Sequence, residues 1–261
     1  MSLSPLIAFA VSIAIVVAAK TFAWWLQLKT KNGGLVDAVW AITLGGLAGL
    51  YALTGTAPLE TRLVLAVMGG TWGLRLGWHL WARNWGKPED FRYAQFRKDW
   101  GVQVNVRMFW FFQFQNIFTL LLSVSAFIPV AYRPDAAPLW AIGLAAAIWI
   151  ISVVGEGVAD GQMERFRRNP SNKGKVCRDG LWRYSRHPNY FFESVFWFSF
   201  LPLAIGAPYG GVTLLAPLVM AFLLTQLSGM PLLEKEMMAR KPGYAEYVRT
   251  TSALIPWPPK A

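Results

Sequence analysis

Residues 139–159 read LWAIGLAAAIWIISVVGEGVA, apolar without interruption until Glu156. The chain then reverses character. RFRRNPSNKGKVCRDGLWRYSRHPNY at 165–190 carries the cations Arg165, Arg167, Arg168, Lys173, Lys175, Arg178, Arg183 and Arg186, and an aromatic run, FFESVFWFSFLPLAI, follows at 191–205. A membrane span needs roughly 20 mainly apolar residues to cross a hydrocarbon core about 30 Å thick. The alternation of such runs with basic segments decides the fold class: an all-α integral membrane protein.

Composition agrees. Of 261 residues, 55% are hydrophobic and only 15% charged, where a soluble domain carries about a quarter charged residues. Seven stretches are read as spans, the sixth of them short: 3–25, 35–53, 63–81, 108–130, 139–159, 190–205 and 212–233. They predict seven transmembrane helices in a single membrane domain, 1–261, with substrate-side helices over about 1–130 and a cofactor-binding half over about 138–261. The first run has no lysine or arginine before it and is too long for the apolar core of a signal peptide, so a retained helix is expected.

The net charge of +11 is placed unevenly. Lysines and arginines follow the first, third, fifth and seventh runs, while the alternate loops hold only Arg62 and Arg133. The positive-inside rule then puts the N-terminus outside and the C-terminus in the cytoplasm. Cys177 is the single cysteine, which excludes an internal disulfide and a cysteine metal cluster, and two histidines are too few for a multi-histidine metal site. No metal is expected.

Ionisable groups within spans are costly and point to function. Here they gather toward one side. Asp37 opens the second run; Arg75 and His79, four apart on one helix face, lie in the inner half of the third; Gln113, Gln115 and Asn116 sit in the fourth. Glu156 and Asp160 close the fifth, Glu193 opens the sixth, and Gln226 and Ser228 fall in the inner half of the seventh. A polar pocket entered from the cytoplasm would produce this pattern. A channel or transporter would instead place polar residues along the full depth.

The basic segments suit a polyanionic ligand, because arginine forks bind phosphate through paired hydrogen bonds. Neither G-x-G-x-x-G after a strand nor G-x-x-x-x-G-K-[ST] occurs, so a nucleotide would be held by side chains on helix ends and loops. Pro188 fits the first turn of a helix, which would carry Asn189 and Tyr190 on that turn and Glu193 about one turn further in.

GLWRYSRHPNYFFE at 180–193 and LLEKEMMARKPGYAEYVRTTSALIPW at 232–257 resemble the C-terminal half of the steroid 5α-reductase family and its bacterial relatives. DAVWAITLG at 37–45 and WGLRLGWHLWARNWGKPEDFRY at 72–93 are similar to the N-terminal signatures of the bacterial branch. The resemblance implies NADPH-dependent reduction of a carbon–carbon double bond in a lipophilic small molecule entering from the bilayer, in a bacterial inner membrane with the active site facing the cytoplasm. By position it implies that Asp160, Arg167, Arg178, Asn189 and Glu193 contact or organise NADPH. Charge and placement add Arg168, Tyr184, Arg186 and Tyr190, while Arg83, Lys87 and Arg92 are expected to close over the phosphates. Asp37 aligns with the family's acid on the second span, with Arg75 or His79 as alternative donors to the substrate carbonyl; the family's tyrosine position falls near Trp72.

A second class shares part of this pattern. Membrane methyltransferases of the isoprenylcysteine or phospholipid type, which use S-adenosylmethionine, also carry R-H-P-x-Y before a span and a later Y-x-x-Y, matched here by Arg186–Tyr190 and Tyr244–Tyr247. A non-catalytic sterol or lipid binder is a third reading. No nucleic-acid partner is expected, and the oligomeric state is not legible in the sequence.

Overall fold

A computed structural model of the chain describes residues 2–227 and 229–260. Among these residues there are helices and turns but no strand; Ser185 and Ser252 form one isolated parallel bridge. In chain order the helices are α1 (Pro5–Thr30), α2 (Leu35–Thr54), α3 (Leu59–Asn84), α4 (Phe91–Trp100), α5 (Val104–Ala131), α6 (Leu139–Arg168), α7 (Pro188–Phe198), α8 (Phe200–Ala204), α9 (Leu215–Phe222), α10 (Met230–Arg240) and α11 (Tyr244–Thr250). Ser228, expected among the polar residues of the last span, lies outside the described residues.

Five stretches are long and apolar enough to cross a membrane: Pro5–Thr30, Leu35–Thr54, Phe91–Ala131, Leu139–Arg168 and Gly210–Arg240. Two of the seven expected stretches are not among them, for different reasons. The third run became a helix of 26 residues, about 39 Å at 1.5 Å per residue, but Glu60, Arg62, Arg75, His79 and Arg83 dilute its apolar character. The sixth run is broken. At Ser199 the backbone N–H and the hydroxyl both turn back to the Phe196 carbonyl, at 3.0 and 2.6 Å, which ends α7, and α8 continues for only five residues.

The chain packs as two compact units: Met1–Ile142 with Phe200–Ala216, and Gly143–Ser199 with Pro217–Ala261. In the N-terminal unit, α3 lies tight against α2 because small residues face each other. A Cβ on Gly73 would fall 2.7 Å from the Gly45 Cα and 2.7 Å from the Ala41 carbonyl oxygen. Gly69, Gly73 and Gly77 recur every fourth residue, and Ala38, Ala41 and Ala48 on α2 are fully buried. This is the small-residue spacing that lets helix backbones approach without a hydrophobic driving force between them. It explains how so polar a helix as α3 stays packed.

α1, α4 and α5 belong to this unit, with the Phe200–Ala216 segment. Ser4 caps α1 by accepting from the Ile7 N–H, and Pro5 occupies the first turn, where its missing N–H costs nothing. Ala23, Val36, Val39, Tyr93, Met108 and Phe112 form a buried apolar cluster drawn from α1, α2, α4 and α5. In the C-terminal unit the C-terminal end of α6 is tied to the turn Gly180–Arg183. Trp182 Nε1 donates to the Ala159 carbonyl at 2.9 Å, and the Leu181 N–H donates to Gln162 Oε1 at 2.9 Å.

Candidate functional site

The N-terminal unit gathers its polar groups around the start of α2. Asp37 accepts from two side chains of α4: Arg92 Nη2 at 3.0 Å and the Tyr93 hydroxyl at 3.1 Å. Arg92 is held in turn by Asp90, the N-cap of α4, through its backbone N–H at 3.0 Å and its Nε at 2.9 Å. Arg83 Nη2 stands 3.8 Å from Asp90 with half of its side chain in solvent. Burial pushes the Asp90 carboxyl up, but the Arg92 charge and its hydrogen bonds, with Arg83 behind, outweigh that and hold it below its ordinary value.

Asp37 was expected to donate. In this geometry both its oxygens accept, and the donors at this point are Arg92 and Tyr93. Arg92, expected to close over phosphates, is committed to two carboxylates. Arg75 and His79 lie half-buried on α3, and Lys87 is exposed; its carbonyl accepts from Asn32 Nδ2 at 3.2 Å and its N–H donates to the Asn84 carbonyl at 3.2 Å. A second network braces the same corner: Glu89 accepts from the Gly33 N–H at 2.6 Å and from Arg97 Nε at 2.7 Å, and Arg97 Nη2 reaches Gln27 Oε1 at 2.8 Å.

One group in this unit lies beyond the sequence reading. Lys20, in the middle of α1, is 1% exposed and donates to Gln115 Oε1 at 2.7 Å. Asp37 is the carboxylate whose field reaches it. The signal for it was present, a lysine inside AVSIAIVVAAKTFAWW at 10–25.

In the C-terminal unit Pro188 opens α7 as expected, with Asn189 and Tyr190 half-buried on the first turn and Glu193 buried one turn further in. Arg186 takes a different part from the expected one. Its Nε and Nη2 reach Glu234 Oε1 and Oε2 at 2.7 and 3.2 Å, and its Nη1 donates to the carbonyls of Val248 and Thr251 at 3.1 and 2.6 Å. All three guanidinium nitrogens are therefore engaged within the protein. His187 Nε2 lies 2.9 Å from Glu234 Oε1, and the His187 ring stacks on Tyr190 at 5.3 Å.

The same segment is fastened to the end of the chain. The Arg186 N–H donates to the Ser252 carbonyl at 2.8 Å, Ser185 Oγ to the Leu254 carbonyl at 2.8 Å, and the Trp257 N–H to the Tyr184 carbonyl at 2.9 Å. The Tyr247 hydroxyl donates to the carbonyls of Trp182 and Ser185, and burial raises its pKa, which keeps it a donor. The two stretches whose likeness is common to reductases and methyltransferases thus form one interlocked fold element. Their presence together marks a scaffold and not one chemistry.

Beside this lock lies a basic cleft of about 460 Å³, lined by Lys173, Gly174, Lys175, Val176, Arg178, Pro242 and Gly243. Its two walls are turns in which Gly174 and Gly243 take left-handed backbone at φ 80° and 81°, where a side chain would be strained. Arg178 leans over the Tyr247 ring at 5.5 Å and approaches Glu246 at 3.5 Å. Lys241 adjoins the cleft; burial and the nearby Arg167 charge lower its pKa, a sign that the region is electropositive. Arg167 and Arg168 are exposed at the end of α6, Arg168 pairing with Glu164, while Asp160 is half-buried and Tyr184 exposed. Lys173 and Lys175 were legible only as loop charges; the fold makes them walls of one cleft.

Residues 23–251 match the family described as a protein family of unknown function, DUF1295. The chain belongs to the DUF1295 family. That family lies within the steroid 5α-reductase-like superfamily. An uncharacterized protein of Schizosaccharomyces pombe is 27% identical over 205 residues, covering 68% of this chain and 59% of the yeast protein. No solved structure matches. The DUF1295 match begins within α1 and ends at Thr251, so it takes in both the Asp37 cluster and the basic cleft.

Proposed function

We propose that this DUF1295 protein is a membrane-embedded, NADPH-dependent reductase of the carbon–carbon double bond of a lipophilic enone. The observation that carries the reading is the basic cleft in the C-terminal unit. Lys173, Lys175 and Arg178 present cations in one concave space between two glycine turns, and such a donor set fits phosphate. NADPH has phosphates to place there and S-adenosylmethionine has none.

When bound, NADPH would supply a hydride to the β-carbon of the enone, leaving NADP⁺, while a proton taken up at the α-carbon completes the saturated ketone. Arg167, Lys175 and Arg178 would hold its phosphates, and Arg186 would act by keeping the segment before α7 in place. In the N-terminal unit Asp37 holds the Tyr93 hydroxyl and Arg92 in place, and the guanidinium N–H groups of Arg92 that the two carboxylates leave open would donate to a carbonyl oxygen on which negative charge develops.

The proposal extends to topology: α3 and the α7–α8 segment complete seven spans, with the N-terminus outside and the basic segments facing the cytoplasm of a bacterial inner membrane. The deciding experiment is binding on the purified protein in detergent. The expected result is saturable NADPH binding with no S-adenosylmethionine binding; the reverse pattern would replace the reductase with a methyltransferase, and binding of neither would leave a lipid binder.

A further inference from the structure

Lys20 is the most deeply placed cation of the N-terminal unit. It lies ten residues before the end of α1, about 15 Å along the helix at 1.5 Å per residue. Its ammonium carries three N–H donors, and its one hydrogen bond among the described residues goes to Gln115 Oε1, a neutral amide. Asp37 acts on it by charge and is not its hydrogen-bond partner; the oxygens of Asp37 accept from α4.

The surroundings hold further open groups, one an acceptor and one a donor. On α5, Asn116 donates to Gln113 Oε1 at 2.8 Å while its own Oδ1 has no partner among the described residues. On α1, two turns beyond Lys20, Gln27 is 1% exposed and its Nε2 has none either. The charges linked to these groups are Lys20, Asp37, Arg92, Asp90 and Arg83, with Arg97 and Glu89 joined through Gln27, four positive against three negative. Buried polar groups are normally satisfied, so the open N–H groups of Lys20 have capacity for an acceptor atom that a ligand brings. Apolar surface adjoins it. Ala19 and Val39 belong both to the cluster around Tyr93 and to a cleft of about 400 Å³ lined with Ala18, Phe22, Ile42, Thr43 and Trp81.

We propose that Lys20 binds the oxygen of a lipophilic ketone or enone, donating to it from its two remaining N–H groups, with the apolar body of the ligand along α1 and α2. The choice of a carbonyl ligand rests on the reductase reading; the demand for an acceptor oxygen does not. An ammonium fixed in a dry setting stabilises negative charge on that oxygen better than it stabilises the neutral carbonyl, which is the condition for accelerating a step that creates an enolate.

The test uses the full chain in detergent, a long-chain alkylcyclohexenone as probe, and the alkylcyclohexene that lacks its oxygen. Lys20→Met should weaken the ketone about tenfold or more and leave the hydrocarbon and NADPH within about twofold. Equal ketone affinity in wild type and variant, or no preference of the wild type for ketone over hydrocarbon, would overturn the proposal. A probe labelled at the carbonyl carbon reads the same contact in the wild type without any variant: its carbon resonance should move downfield on binding, and an unmoved signal counts against Lys20. Failure of the two readings is separable. If the ketone binds through Lys20 but NADPH does not bind, the reductase falls and this site stands; if Lys20→Met reduces the enone at the wild-type rate, this site falls and the reductase stands.

Discussion

The Arg186 guanidinium closes on the Glu234 carboxylate through Nε–Oε1 at 2.7 Å and Nη2–Oε2 at 3.2 Å, 48 residues away in the chain. The side chains are 9% and 15% exposed, so each charge depends on the other. Removing one partner of such a buried pair costs about 3–5 kcal/mol, because the other is left uncompensated. Arg186→Ala also frees the carbonyls of Val248 and Thr251. Both Arg186→Ala and Glu234→Gln should give protein that denatures at markedly lower temperature in detergent; a melting temperature equal to wild type would show that the pair does not hold the chain end.

The basic cleft predicts a charge effect of a different kind. Replacing Lys173 and Lys175 together by alanine should weaken NADPH by about tenfold or more, since a charged hydrogen bond contributes about 1.5–3 kcal/mol, while the melting temperature stays near wild type because both side chains are exposed. Wild-type affinity should fall with rising salt. Titration calorimetry at two ionic strengths measures both, and an unchanged affinity in the double variant would place the cofactor elsewhere.

Asp37→Asn and Tyr93→Phe act on one contact from opposite ends. Each should slow turnover by about 10²-fold, the loss expected for one misplaced donor, with NADPH affinity preserved. Single-turnover measurement separates the chemical step from binding. Full rates in Asp37→Asn on every accepted substrate would dismiss its role.

Asp90 makes the N-terminal unit acid-sensitive. Its folded pKa lies below the ordinary 3.8 because the Arg92 charge and hydrogen bonds exceed the opposing cost of burial. A depressed carboxylate stabilises fully above its unfolded pKa, and that contribution is lost as pH falls through the folded value. Thermal inactivation should therefore steepen as pH drops below 3.8. In Asp90→Asn the extra acid sensitivity should vanish and stability at neutral pH should be lower; identical pH profiles would contradict this.

Gly73→Val tests the α2–α3 contact. Its Cβ would press on the Gly45 Cα and the Ala41 carbonyl, both backbone and unable to yield. Little folded protein should be recovered, whereas Gly70→Ala, facing open space on the same helix, should be recovered at the wild-type level.

Much of the helical order was legible because it is local. Pro188 marks the start of α7, and the long apolar runs mark α1, α2, α5 and α6. The break at Ser199 was not, since it arises from hydrogen bonds turning back to Phe196 inside a run that reads as continuous. The candidate residues were legible as types and depths, not as partners. Arg186 reads as an anion donor until Glu234 is beside it, and Asp37 reads as a donor until Arg92 and Tyr93 approach from α4. Lys20 is legible as a lysine inside an apolar run, but its partner Gln115 lies 95 residues away and only the fold brings the two together.

The sequence by itself determined that this chain is helical, rich in membrane-crossing length, and basic in alternate segments, because hydropathy and charge act residue by residue against lipid and water. The tertiary structure alone decided which cations are engaged and which face an open cleft. That choice depends on hydrogen-bond geometry between residues tens of positions apart, and no local pattern encodes it.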